Sequence, residues 1–160
     1  MTNPLRILTL ALLAGCAFGL TDCKKKSEPE PDKRSQREIW LTSAGWNIQL
    51  ITQVITSGGT TSTHSGSPAS YGFPLCALDD IIHYNRDRTV TVEEGPLTCQ
   101  PPTTGGTWDF AANETELVSS SSPAYRNKIV SLTATTLELE ISETDSYGNT
   151  IVQTTTYAAK

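Results

Sequence analysis

From Gly45 to Tyr157 apolar side chains recur mainly at every second position, which is the period of a half-buried strand and not of a helix. Trp46, Ile48, Leu50, Thr52 and Val54 fall on one face of a long first strand, with Asn47, Gln49 and Gln53 on the other; Ile51 and Ile55 break the alternation. Residues 81–84 and 89–92 flank the turn-forming Asn85-Arg86-Asp87-Arg88 as a hairpin. Trp108 and Phe110 flank Asp109 on a fourth strand, Leu117 and Val118 open a fifth after the turn Ala112-Asn113-Glu114, and residues 129–132 form a sixth. Leu137, Leu139 and Ile141 alternate with Thr136, Glu138 and Glu140 in a seventh. Gly148 can supply the positive φ of a last hairpin, whose outgoing strand, the eighth, covers residues 150–157.

Eight successive antiparallel strands predict an all-β domain that closes into a small up-and-down barrel, because closure removes the edges through which open sheets aggregate. A sandwich of two open sheets is the other arrangement the pattern allows. Residues 32–43 hold a helical turn whose Ile39, Trp40 and Leu41 cap one barrel end. Residues 57–74, rich in Gly, Ser and Thr, read as a loop long enough to serve as a lid over the mouth.

The N-terminus follows another pattern. Arg6 precedes an apolar run from Ile7 to Leu20, about 14 residues where a bilayer span needs about 20, so the run reads as an export signal. Leu13-Ala14-Gly15-Cys16 resembles the lipobox of bacterial lipoproteins, which implies cleavage before Cys16 and acylation of its thiol. Lipidation at Cys23, just ahead of Lys24-Lys25-Lys26, and cleavage without a lipid are the alternatives; Asp22 stands where the peptidase needs a small residue and counts against Cys23. Two or three acyl chains, at about 0.8 kcal/mol per buried methylene, tether a protein to a bilayer almost permanently. The expected organisation is a signal peptide over 1–15, a lipidated N-terminus and linker over 16–37, and a barrel over 38–160. The expected location is exported and membrane-anchored, on the outer membrane, in the periplasm or at the cell surface.

Charge separates the last two segments. Residues 24–37 hold six Lys/Arg against three Asp/Glu and no apolar side chain but proline, the composition of a spacer. Residues 38–160 hold five Lys/Arg against thirteen Asp/Glu. An acidic domain is repelled by phosphate, which argues against a nucleic-acid partner.

Four stretches of the domain resemble the small lipocalin-like domains of exported bacterial lipoproteins: residues 41–46, ending Ala44-Gly45-Trp46; Cys76-Ala77-Leu78-Asp79-Asp80; Gly106-Thr107-Trp108; and residues 128–133 with Leu137-Glu138-Leu139. The first is similar to the Gly-x-Trp signature, but here glycine and tryptophan are adjacent. The resemblance implies a barrel whose cavity takes a small apolar molecule. An eight-stranded barrel is just wide enough to be filled by its own side chains or to hold one small ligand. Trp46, Leu50, Tyr84, Trp108, Phe110, Leu139 and Tyr157 are the large residues available for either purpose.

Candidate chemistry is sparse. Cys76 and Cys99 lie just outside the open end of the hairpin formed by the second and third strands and, once exported, are expected to form a disulfide. Asp79 and Asp80 are neighbours on a strand, so their side chains diverge and cannot share a proton; one or other is expected to accept backbone N–H groups where the loop enters the strand. His64 and His83 lack ligand-like spacing, and no phosphate loop, nucleophile elbow or Cys/His pair occurs. Asn113-Glu114-Thr115 has the form of a glycosylation sequon, discounted in a bacterial lipoprotein. The expected class is a tethered binding module without enzymatic activity, metal or cofactor, whose partner is a small hydrophobic molecule or an envelope protein. A structural lipoprotein acting through an outer apolar patch, hinted at by Ile51 and Ile55, is the alternative; an enzyme, or a protease inhibitor working through residues 57–74 or the N-terminal segment, ranks below both.

Overall fold

A computed structural model describes residues 32–99, 105–120 and 125–160, so the expected export signal, Cys16, Cys23 and most of the expected linker lie outside the described residues. Helix α1 (Gln36–Ser43) begins at Ser35, whose hydroxyl accepts the Glu38 N–H at 3.0 Å and so satisfies one donor that every helix N-terminus leaves open. Its other end is closed from the sheet: the Trp46 indole N–H donates to the Leu41 carbonyl at 2.9 Å.

The strands are β1 (Gly45–Ser57), β2 (Thr60–Gly66), β3 (Ile81–Tyr84), β4 (Thr89–Glu93), β5 (Gly106–Ala111), β6 (Glu116–Ser119), β7 (Tyr125–Leu132), β8 (Thr136–Thr144) and β9 (Thr150–Ala159). From β3 to β9 each pairs antiparallel with the next, and β1 pairs with both β3 and β9. The expected eight-stranded closed barrel is therefore present, made of β1 and β3 to β9.

Closure is uneven. β1 and β9 are matched from Trp46↔Ala159 to Thr56↔Thr150, whereas β1 meets β3 only at Gly45↔His83 and Trp46↔Ile82. β4 meets β5 only at Thr89↔Thr107 and Val90↔Gly106. There the chains approach so closely that a Cβ on Gly105 would lie 1.9 Å from the Val90 carbonyl oxygen, which only glycine avoids.

Two expectations need correction. Residues 57–74 are not one loop: Gly58 and Gly59, at φ 53° and 81°, make a two-residue turn, and Thr60–Gly66 returns along the outer half of β1 as a ninth strand. Only residues beyond Gly66 remain for a lid. The face of β1 also changes midway. A β-bulge between Ile48 and Leu50 inserts one residue, so Ile51, Gln53 and Ile55 continue the inner row begun by Trp46 and Ile48. Leu50, Thr52 and Val54 therefore belong to the opposite face; Leu50 is 40% exposed and Ile51 fully buried, and Ile51 cannot form an outer patch. A second bulge, between Ile129 and Ser131 on β7, turns Val130 outward while keeping Ile129 and Leu132 in the core.

The core fills the helix-capped end. Leu41, Trp46, Tyr84, Val90, Trp108, Leu117, Ile129, Leu132, Leu137 and Leu139 form one buried cluster, with Trp40, Phe110 and Tyr157 packed against it. Trp108 stands edge-on to both Tyr84 and Phe110, with ring centres 5.9 and 5.3 Å apart. Its N–H donates to the Asn85 carbonyl at 2.9 Å. Core, disulfide and all nine strands fall within one compact unit, Lys33–Lys160, which is a self-contained fold. No helix among the described residues is long and apolar enough to cross a membrane.

Candidate functional site at the barrel mouth

β3 and β4 are four and five residues long, while β1, β8 and β9 have thirteen, nine and ten. The wall made by β8, β9 and β1 therefore stands taller than the β3–β4 wall, and residues 67–80 run across the end away from α1. They are held there by short 3-10 turns, Pro68–Tyr71 and Leu75–Ala77, separated by Gly72 at φ 85°.

Four attachments fix this lid. Cys76 is bonded to Cys99, with Cα atoms 5.2 Å apart, as expected. The Asn47 amide on β1 donates to the carbonyls of Leu78 and Asp80 at 2.8 and 2.9 Å. Asp80 Oδ1 accepts the Gly95 N–H at 3.1 Å, and Asp79 Oδ2 accepts the Leu97 N–H at 3.0 Å. Both aspartates thus accept backbone N–H groups, where one was expected to, but those groups belong to the loop after β4 and not to the loop that enters β3. A Cβ on Gly95 would sit 2.3 Å from the Asp79 carboxyl carbon, so that glycine makes room for the cap.

Beneath the lid is a cavity of about 130 Å³ lined by Ile48, Ile82, Val92 and Tyr157 from the barrel and Phe73, Ala77 and Asp80 from the lid segment. Its lining is mainly apolar, and the Asp80 carboxylate is turned toward the Gly95 amide. Apolar side chains also stand on the surface nearby in the chain: Phe73 is 38% exposed, Leu75 66% and Leu97 54%. Two roomier hollows, of about 270 and 420 Å³, are open surface depressions, one between the α1 C-terminus and His83, the other beside Arg88 and Thr107.

Of the seven large residues expected to fill the barrel or meet a ligand, only Tyr157 lines the cavity. Trp46, Tyr84, Trp108 and Leu139 are buried core, Phe110 packs against that core, and Leu50 faces outward. The lining residues absent from that set had different signals. Ile82 and Val92 sit opposite each other in the β3–β4 register and were legible as a hairpin pair. Phe73 and Ala77 lie in an irregular segment with no periodicity to place them.

Tyr84 and Tyr157 point inward from β3 and β9. Burial pushes the Tyr84 hydroxyl pKa well above its ordinary value, with further contributions from Tyr125 and Tyr157; burial likewise raises that of Tyr157, helped by Tyr125. The two are neutral hydroxyls throughout the physiological range. Asp80, Glu94 and Cys99 bring potential metal-binding atoms within 4.8 Å of one another. However, the Cys99 sulfur is bonded to Cys76, and the Glu94 carboxylate accepts the Cys99 N–H at 3.1 Å, so this cluster ties the loop together. His83 pairs with Glu93 on the surface at 3.1 Å, and His64 lies exposed on β2.

No protein-family model matches the chain, and no curated protein matches it.

Proposed function

We propose that this protein is a binding module whose barrel mouth accepts one compact apolar group. The observation that supports this reading is the 130 Å³ cavity under the lid, mainly apolar and continuous with the outside, in a barrel whose opposite, helix-capped end is filled by the core. Its size sets the class of ligand. A dry cavity of about 150 Å³ accommodates a benzene ring, whereas pockets for drug-sized molecules span about 300–1,000 Å³. A whole fatty acid is too large to be enclosed. An aromatic ring, a short branched alkyl group or the end of a longer chain is the right size.

The likeness to lipocalin-like domains of exported lipoproteins supports the same reading, and the Leu13-Ala14-Gly15-Cys16 stretch supports a membrane tether that holds the barrel in the cell envelope. A second reading, a scaffold acting through its surface, draws on the exposed Phe73, Leu75 and Leu97, which would meet a protein partner rather than a free ligand.

The test uses the compact unit, residues 33–160, titrated with indole and followed by the methyl resonances of Ile48, Ile82 and Val92. Saturable shifts confined to these methyls, abolished by the cavity-filling Ala77→Leu, are expected. Absence of any saturable shift, or shifts unaffected by Ala77→Leu, would remove the cavity reading and leave the scaffold.

A further inference from the structure

We infer that β2 is a docking edge for a second copy of this chain, joining two barrels through one continuous antiparallel sheet. β2 ends the strand order, so its outer edge has no strand partner among the described residues. Thr60 to Ser65 are exposed on both faces, so the strand is not held in place by burial. Natural edge strands are normally protected by charge, proline, a bulge or brevity. β2, with the sequence TTSTHSG, has seven residues, no Lys, Arg, Asp, Glu or Pro, and an unbroken register with β1 from Ile51↔Gly66 to Ser57↔Thr60.

The other free edge of the tall wall differs. Residues 141–144 of β8 extend beyond the pairing with β7, but Glu143 lies among them and opposes a continuous pairing partner. A β2-to-β8 contact would also be head-to-tail and leave the assembly open, whereas β2-to-β2 closes as a two-fold dimer.

The β2 sequence is complementary to itself. A two-fold axis at Thr63 sets Thr61 opposite Ser65 of the second copy and Ser62 opposite His64, and uses the whole strand from Thr60 to Gly66. Thr–Ser pairs are favourable across strands, and no like charges meet. The same chemistry already operates on the other side of the strand, where Thr52 bonds Ser65 at 2.9 Å and Thr56 bonds Thr61 at 3.1 Å through their hydroxyls. The Tyr71 hydroxyl donates to the His64 carbonyl at 2.9 Å, which steadies that end of the strand. A seven-residue edge is a small interface, so the association is weak and concentration-dependent.

The test again uses residues 33–160, whose two cysteines are already paired, so one added cysteine gives one free thiol. Sedimentation equilibrium is expected to show a monomer–dimer exchange. On mild oxidation Thr63→Cys is expected to cross-link with itself, because directly opposed residues on antiparallel strands have Cα separations of about 4.5–5.5 Å, within disulfide reach. Thr61→Cys alone is expected not to cross-link, but a mixture of Thr61→Cys with Ser65→Cys is. Ser62→Lys combined with His64→Lys is expected to weaken dimerisation roughly tenfold or more while leaving the circular dichroism spectrum unchanged. A monomer at every concentration up to about 1 mM, a dimer indifferent to the two lysines, or self-cross-linking at residue 61 in place of 63 would each overturn the assignment. So would a β2 edge that pairs only with an extended peptide of another protein.

Discussion

Arg88 carries its guanidinium carbon 4.3 Å from the centre of the Trp108 ring while its own backbone stands at φ 69°, in the left-handed region. The same side chain reaches Glu38 on α1 at 3.1 Å and Asp109 at 3.6 Å. One strained residue therefore joins the helix, the β3–β4 turn and the core tryptophan. The left-handed backbone costs about 1 kcal/mol and the stacked cation returns about 0.5–2 kcal/mol. The ion pairs add little, because the Arg88 side chain is 39% exposed. Arg88→Ala loses the stacking and keeps the strain, and is expected to destabilise by about 1–2 kcal/mol in urea unfolding. Arg88→Gly loses the stacking but relieves the backbone, so it should be the milder of the two. Equal losses would mean that the left-handed backbone at residue 88 carries no strain for glycine to relieve.

Leu50 and Ile51 are adjacent, equally apolar and opposite in fate. Ile51→Ala removes a fully buried side chain and is expected to cost about 2–5 kcal/mol; Leu50→Ala, on the open face, should stay within about 1 kcal/mol. Denaturant midpoints of the two variants decide this, and a reversed order would mean that β1 has no bulge at Gln49.

This pair also marks where the sequence was legible and where it was not. The alternation of Leu137 and Leu139, the β3–β4 turn at Asn85–Arg88 and the Gly148 turn follow from local chemistry, and the barrel follows from them. A bulge leaves no local signature: the broken alternation at Ile51 and Ile55 was visible, but inserting one residue and facing an outer patch give the same pattern. β2 escaped for the opposite reason. Gly58-Gly59 is a hairpin signal, yet TTSTHSG has no apolar residue, because neither of its faces is buried. The lid cavity depends on Phe73 and Ala77, which are placed by the disulfide and by Asn47, attachments that act across 23 and 31 residues of chain.

The disulfide closes a loop with a sequence separation of 23, and removing it with Cys76→Ser and Cys99→Ser is expected to lower unfolding free energy by about 3 kcal/mol. Its second effect is local. Cys76 lies in the turn Leu75–Ala77, and Ala77 roofs the cavity. Indole affinity should therefore fall in the double variant under conditions where Trp46 and Trp108 fluorescence still reports a folded core. Unchanged affinity would show that Asn47, Asp79 and Asp80 hold the lid without the covalent clasp.

The inward tyrosines give the fold an alkaline limit. Tyr84 and Tyr157 both have hydroxyls whose pKa is raised above 10.0 by burial, so between pH 10.0 and those raised values the unfolded chain releases protons that the folded chain retains. The unfolded state then binds fewer protons, which makes the slope of stability against pH negative there; below pH 10.0 neither state ionises these groups and they add no slope. Each tyrosine contributes about 1.4 kcal/mol per pH unit, and the pair about 2.7. Urea unfolding at a series of alkaline pH values should show this decline. Tyr157→Phe removes one titrating group and is expected to reduce the slope by about half. A slope unchanged in Tyr157→Phe would mean that the folded barrel does not hold its hydroxyl away from solvent.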